Sequence, residues 1–115
     1  MALINSIASW WMRKRMHQIE LFMKYPFDVQ HDCFKRLISS AKDTEWGRAH
    51  NFTSIHNYEQ YISHVPVQDY ESLKPNIERT RKGEQNILWN TDIHWFAKSS
   101  GTTNARSKFI PVSPE

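Results

Sequence analysis

FAKSSGTTNARSKFIPVS, residues 96–113, sets a run of hydroxyls around Gly101 between two apolar pieces. Six of the nine residues from Ser99 to Ser107 are Ser, Thr or Gly, and the run closes on Lys108. Such a segment is rich in small donors and has nothing to bury in a core. It is therefore either a solvated turn or a loop that grips an anion. Its flanks are β-branched and aromatic, so Ile93-His94-Trp95-Phe96 and Phe109-Ile110-Pro111-Val112 are predicted as strands around it, with Ile87-Leu88-Trp89 as a further short strand upstream.

Before this unit the pattern is mainly helical. Apolar residues at 4, 8, 11, 12, 16, 19 and 23 give residues 1–26 the pattern of one amphipathic helix that stops at Tyr25-Pro26. Trp10 and Trp11 beside Arg13, Lys14 and Arg15 leave an interfacial membrane helix conceivable, but packing against protein is the expectation for such a stripe. Asp28 is predicted to cap a second helix whose Val29, Cys33, Phe34, Leu37, Ile38 and Ala41 share one face. Residues 43–52, DTEWGRAHNF, read as a polar connection. A third helix opens at Asn57 with Gln60 completing a capping box, buries Tyr58, Tyr61, Ile62 and Val65, and ends before Pro66. Tyr70, Leu73 and Ile77 continue as helix from Asp69, with a break predicted at Pro75 and a stop at Gly83.

The totals fit one small folded domain. The chain has 115 residues, 39% of them hydrophobic, with five Trp, six Phe and four Tyr, a content of aromatics that disordered chains lack. Fifteen Lys and Arg against twelve Asp and Glu give a net charge of +3, mild enough to suit anionic small molecules without implying nucleic acid. The single cysteine, Cys33, forms no internal disulfide and is expected to be buried as a small hydrophobe, which fits a cytoplasmic setting. The sequence shows no run long enough to span a bilayer and no secretion signal, and the Asn51-Phe52-Thr53 glycosylation triplet is of a kind that arises by chance.

A loop that holds phosphate needs small residues so that N–H groups can approach, hydroxyls that donate further bonds, and a nearby cation. Ser99 to Lys108 has all three. It lacks the second glycine directly before the lysine that a Walker loop requires. There is no GxSxG elbow and no KTG for a serine nucleophile. The six histidines show neither HxxxH nor CxxC partners and read as surface or core residues. Glu20, Asp43, Glu45, Asp69, Glu71 and Glu84 fall on separate elements and read as solvated or capping groups rather than as an acid–base pair.

SSGTTNARSK followed by FIPVS resembles the ATP phosphate-binding signature of the acyl-adenylate-forming superfamily, in the form used by the auxin-conjugating acyl-acid amido synthetases and their bacterial relatives. TEWGRAHNF at 44–52, the run NYEQYISHVPVQDYESLKPNIERTRKGEQNILW at 57–89, and IHWFAKSSGTT are similar to that family in order and spacing. The resemblance covers the chain from Asp28 onward and the first helix only loosely. The superfamily usually has a second glycine and a proline before the lysine, and the plant branch keeps a later glycine; Asn104 and Ala105 stand in that part here.

This resemblance implies an α/β fold, α+β within this stretch, with N-terminal helices followed by the first strands of a large adenylate-forming domain. Residues 1–115 are expected to be its truncated N-terminal portion, of a bacterial-type member. It implies an ATP-dependent, AMP-forming acid–amine ligase, using ATP and Mg2+, that makes an acyl-adenylate and passes the acyl group to an amine. Ser99, Ser100, Gly101, Thr102 and Thr103 are the implied phosphate contacts; Lys108 matches the signature lysine in a supporting or loop-anchoring role, and Arg106 is a weaker candidate. No nucleic acid and no stable membrane association are expected, and 1–115 alone is expected to be inactive. The alternatives are an acyl-CoA synthetase sharing the first step, or a non-catalytic helical module docking through its Trp-rich first helix.

Overall fold

A computed structural model describes residues 2–100 and 106–115. Its elements are α1 (Ala2–Lys24), α2 (Pro26–Ala41), α3 (Glu45–Ala49), a 3-10 turn over Phe52–Ser54, α4 (Tyr58–His64), α5 (Tyr70–Arg81), β1 (Trp95–Lys98) and β2 (Phe109–Val112). The fold is thus α+β, helices first and a two-stranded antiparallel sheet last. The chain divides into two compact units, Met1–Arg36 and Leu37–Glu115, with the division inside α2.

In the first unit α1 ends at Lys24 as the Tyr25-Pro26 pair requires. Within the chain its apolar residues Ile4, Ile7, Trp10, Trp11, Met12, Met16 and Phe22 are all more than half exposed. Ile7, Trp10 and Leu21 form a second apolar strip on the side opposite the one traced by 8, 12, 16, 19 and 23, so the helix has no single face to bury. No helix among the described residues is long and apolar enough to cross a membrane. α2 starts at Pro26, two residues before the predicted cap, because proline is favoured at the first helical position; Asp28 lies in the first turn instead. Cys33 is exposed, a second correction. The buried residues of α2 are Ile38 and Ala41, so the core takes up only its last turn.

That core begins where α2 stops. Thr44 is fully buried, donates its hydroxyl to the Ala41 carbonyl at 2.6 Å, and accepts the Gly47 N–H at 2.9 Å. One side chain thereby ends α2 and caps α3. Residues 43–52 are therefore not a polar connection but the centre of the unit, with Gly47 and Phe52 buried inside it. A Cβ on Gly47 would stand 2.0 Å from the Ala41 oxygen and 2.9 Å from that of Lys42, so only glycine admits this approach. The next free N–H groups of α3 are taken by the segment expected to be a strand: Glu45 N donates to Asn86 O at 3.0 Å and Trp46 N to Ile87 O at 2.9 Å. Ile87 is buried by this docking and forms no ladder, which corrects the strand predicted at 87–89.

Ile55, Ile77, Ile87 and Ile93 complete the core. α4 opens at Asn57, whose side chain accepts the Gln60 N–H, while Gln60 Oε1 takes the N–H of His56 rather than that of Asn57. Its stripe is only half realised. Tyr58 and Ile62 are exposed, and Tyr61 meets Phe52 edge-on with centroids 6.3 Å apart, because a seven-residue helix touches the core along one edge. α5 runs unbroken through Pro75, against expectation. Pro75 and Glu71 are both exposed, so the Glu71 carbonyl that loses its helical donor faces water. Gly83, at φ +103, ends the helix as predicted.

Arg79 then ties three segments together. Its guanidinium bonds Glu45 through both oxygens, at 2.6 and 2.9 Å, and reaches Glu84 at 2.8 Å. Glu45 and Glu84, read from the sequence as separate solvated groups, thus converge on one cation. The Arg79 hydrogen bond holds the Glu45 carboxyl below the ordinary carboxylate range, and both glutamates raise the arginine.

Two outcomes follow from this unit. Gly47→Ala should lower stability by about 3 kcal/mol or more, since the clash is with backbone; urea unfolding checks it, and a change under ~1 kcal/mol would contradict the packing. Because the folded pKa of Glu45 is depressed, its contribution is present above the ordinary value of about 4.3 and disappears as pH falls through the lower folded value. Thermal melts between about pH 5 and pH 2 should therefore show a shallower acid loss in Glu45→Gln than in the parent protein.

Candidate functional site

The hydroxyl-rich run is carried by the hairpin. β1 and β2 pair in the register Trp95↔Val112, Phe96↔Pro111, Ala97↔Ile110 and Lys98↔Phe109. β1 begins two residues later than predicted, because Ile93 is held elsewhere: its N–H donates to Gln85 Oε1 at 2.9 Å and its carbonyl accepts from Gln85 Nε2 at 3.2 Å. The amide of Gln85 imitates a neighbouring strand at that point.

One further pair closes the loop. Ser99 N donates to Lys108 O at 2.9 Å, and Lys108 N donates to the Ser99 hydroxyl oxygen at 3.0 Å. Ser99 thus serves as the latch of the loop mouth, its own N–H spent on closure and its hydroxyl proton still available to donate. Ser100, Arg106, Ser107 and Lys108 are exposed beside it. Gly101, Thr102 and Thr103, the remaining candidate phosphate contacts, lie outside the described residues. The structure therefore brings Ser99 and Lys108 together directly.

The base of the loop rests on α5. The Ser99 N–H points across to the Lys108 carbonyl, so by the alternation of an antiparallel pair the next residues, Lys98 and Phe109, turn their N–H groups outward. The outward N–H of Phe109 donates to the Tyr70 phenol oxygen at 3.0 Å. The Lys108 ammonium lies 5.3 Å from the Tyr70 ring centroid, and the Arg81 guanidinium lies 3.8 Å from that of Phe109. Asp69 caps the same helix by accepting from the Ser72 N–H at 2.8 Å and the Ser72 hydroxyl at 2.6 Å; these bonds lower its pKa, with the charge of Lys108 adding to them. Tyr70 and Arg81 were not legible as parts of a site. A bond between residues 39 positions apart leaves no spacing signal, and Tyr70 reads simply as part of an apolar stripe.

Other features offer less chemistry. A cavity of about 240 Å³ opens at the far end of β2 among Thr80, Gln85, Ile87, Trp89, Ile93 and Pro111, with no titratable side chain in its lining. Glu115 accepts from Trp89 Nε1 at 3.1 Å and Thr91 Oγ1 at 3.2 Å, and its pKa is lowered chiefly by a hydrogen bond from Ser113. Among the described residues no group of three or more His, Cys, Asp or Glu converges as a metal site.

Residues 15–115 match the model of the GH3 family N-terminal domain. The chain is 30% identical over 103 residues to indole-3-acetic acid-amido synthetase GH3.2 of Arabidopsis thaliana, covering 89% of this chain and 19% of that protein. It is 32% identical over 85 residues to a probable indole-3-acetic acid-amido synthetase GH3.2 of Oryza sativa subsp. japonica, covering 73% and 14%. Jasmonoyl–L-amino acid synthetase JAR6 of Nicotiana attenuata is 25% identical over 103 residues, covering 89% and 18%. The chain thus spans less than a fifth of the length of these curated relatives.

The latch has its own test. Ser99→Ala removes the acceptor of the Lys108 N–H, and exchange of that amide should quicken by about fivefold, the worth of one ordinary hydrogen bond. Ser99→Thr should keep the parent rate; equal rates in all three proteins would contradict the closure.

Proposed function

The chain belongs to the GH3 family, and on that premise we propose that it is the N-terminal part of an ATP-dependent acyl-acid amido synthetase of the bacterial branch, acting in the cytoplasm. The observation that carries the reading is the hairpin: two strands hold a loop of small hydroxyl residues at their tip, latched by Ser99 and Lys108. The relatives' names point to small carboxylic acids and amino acids as the substrate classes.

In the reaction proposed, a carboxylate oxygen attacks the α-phosphorus of ATP, the α–β phosphoanhydride bond breaks, and pyrophosphate leaves with the electron pair. An amine nitrogen then attacks the acyl carbon, AMP departs, and the amine proton passes to solvent or a base. The residues of this chain serve the first step. Hydroxyls of Ser99, Ser100, Thr102 and Thr103 donate to the β- and γ-phosphate oxygens, and Gly101 lets the backbone approach them closely. Donors placed where charge develops stabilise the departing pyrophosphate more than the resting nucleotide. Lys108 adds positive charge at the loop mouth from its position over Tyr70. Magnesium neutralises phosphate charge when it is bound. Bound beside a nucleotide it would need only one or two protein carboxylates besides phosphate oxygens and water, so this stretch would not have to supply a cage.

Acid-dependent exchange of pyrophosphate into ATP tests the reading in the full-length protein, with indole-3-acetic and jasmonic acids as probes. Thr102→Ala combined with Thr103→Ala should reduce exchange by about a hundredfold or more. Undiminished exchange in the double variant, or exchange by residues 1–115 alone, would overturn the assignment.

A further inference from the structure

We propose that Tyr70 is a positioning residue for the nucleotide loop, holding the loop's second strand in place through the Phe109 amide; this rests on reading residues 99–108 as the phosphate site. Tyr70 is the first residue of α5 and Arg81 the last. Eleven residues separate them, which is three turns, so both side chains leave one face of the helix together with Ile77. Ile77 is buried, which fixes that face against the core.

β2 begins on this face. Phe109 is gripped at its backbone by the Tyr70 phenol, at 3.0 Å, and at its ring by the Arg81 guanidinium, at 3.8 Å. The residue before it, Lys108, latches the loop to Ser99 and sets its ammonium over the Tyr70 ring. Tyr70 therefore touches both residues at which the loop rejoins the sheet. An edge N–H without a partner would be free to bond water and let the strand end fray. The phenol keeps the strand end seated, and with it the distance between the loop's two stems.

Tyr70→Phe in the full-length protein tests this, because it keeps the ring under Lys108 and removes only the acceptor of the Phe109 N–H. Hydrogen exchange at Phe109 should quicken by about fivefold. In pyrophosphate exchange assays KM for ATP should rise by a similar factor, with KM for the acid, kcat and melting temperature close to the parent values. Faster Phe109 exchange with an unchanged KM for ATP would reduce Tyr70 to a structural role and overturn the proposal. So would a changed KM with unchanged Phe109 exchange. If Thr102→Ala raises KM for ATP and Tyr70→Phe does not, the positioning role falls while the phosphate loop stands. If the parent protein shows no acid-dependent exchange at all, the functional reading falls, and the nucleotide-positioning proposal falls with it whatever Phe109 does.

Discussion

A single carbonyl, that of Ala41, organises the larger unit. Its oxygen accepts the Thr44 hydroxyl and sits so close to Gly47 that no side chain fits between them. The chain turns from α2 into α3 around this point, and the turn aims the open end of α3 at residues 86 and 87. A buried hydroxyl that both donates and accepts leaves no unpaired polar group, which is why Thr44 can be fully enclosed. The cost of this economy is intolerance: three neighbouring positions, 41, 44 and 47, have almost no freedom to vary in size.

From that turn the constraint passes to the candidate site through α5. Arg79 joins the helix to Glu45 at one end of the core, and Tyr70 and Arg81 join the same helix to the first residue of β2. α5 is thus the member through which a loop of weak intrinsic preferences acquires a defined base. Proline in its interior does not interrupt α5, and the residues on either side of the missing hydrogen bond, Glu71 and Pro75, are both exposed.

Local chemistry was legible in the sequence and remote chemistry was not. Asn57, Asp69 and Gly83 mark helix ends by their own side chains or by backbone freedom, and each stands where those properties place it. The hairpin around the hydroxyl run was equally plain, since both flanks favour strands and the run cannot. Ile87-Leu88-Trp89 misled because an apolar triplet says that a segment is buried, not what buries it; here the burial is against the end of a helix. Cys33 misled for the converse reason, since periodicity defines a face without saying how far the core extends along it. TEWGRAHNF looked like a connection because its key group is a small threonine and its key contact is the absence of a side chain. The phosphate contacts were named from hydroxyl content, but the latch role of Ser99 and the support from Tyr70 depend on strand register, which composition does not carry.

The proline in β2 gives the hairpin a handed growth rule. Pro111 pairs with Phe96 in the same outward-turned class as Phe109 with Lys98, so its missing N–H takes nothing from the bond with β1. On the outer margin, however, β2 has one donor engaged by a phenol and the next abolished by a ring. A third strand seeking alternating donors and acceptors meets only oxygens there, and finds a complete template beside β1 alone. Sheet extension from this hairpin is therefore directional, proceeding from the strand that enters the loop rather than from the one that leaves it.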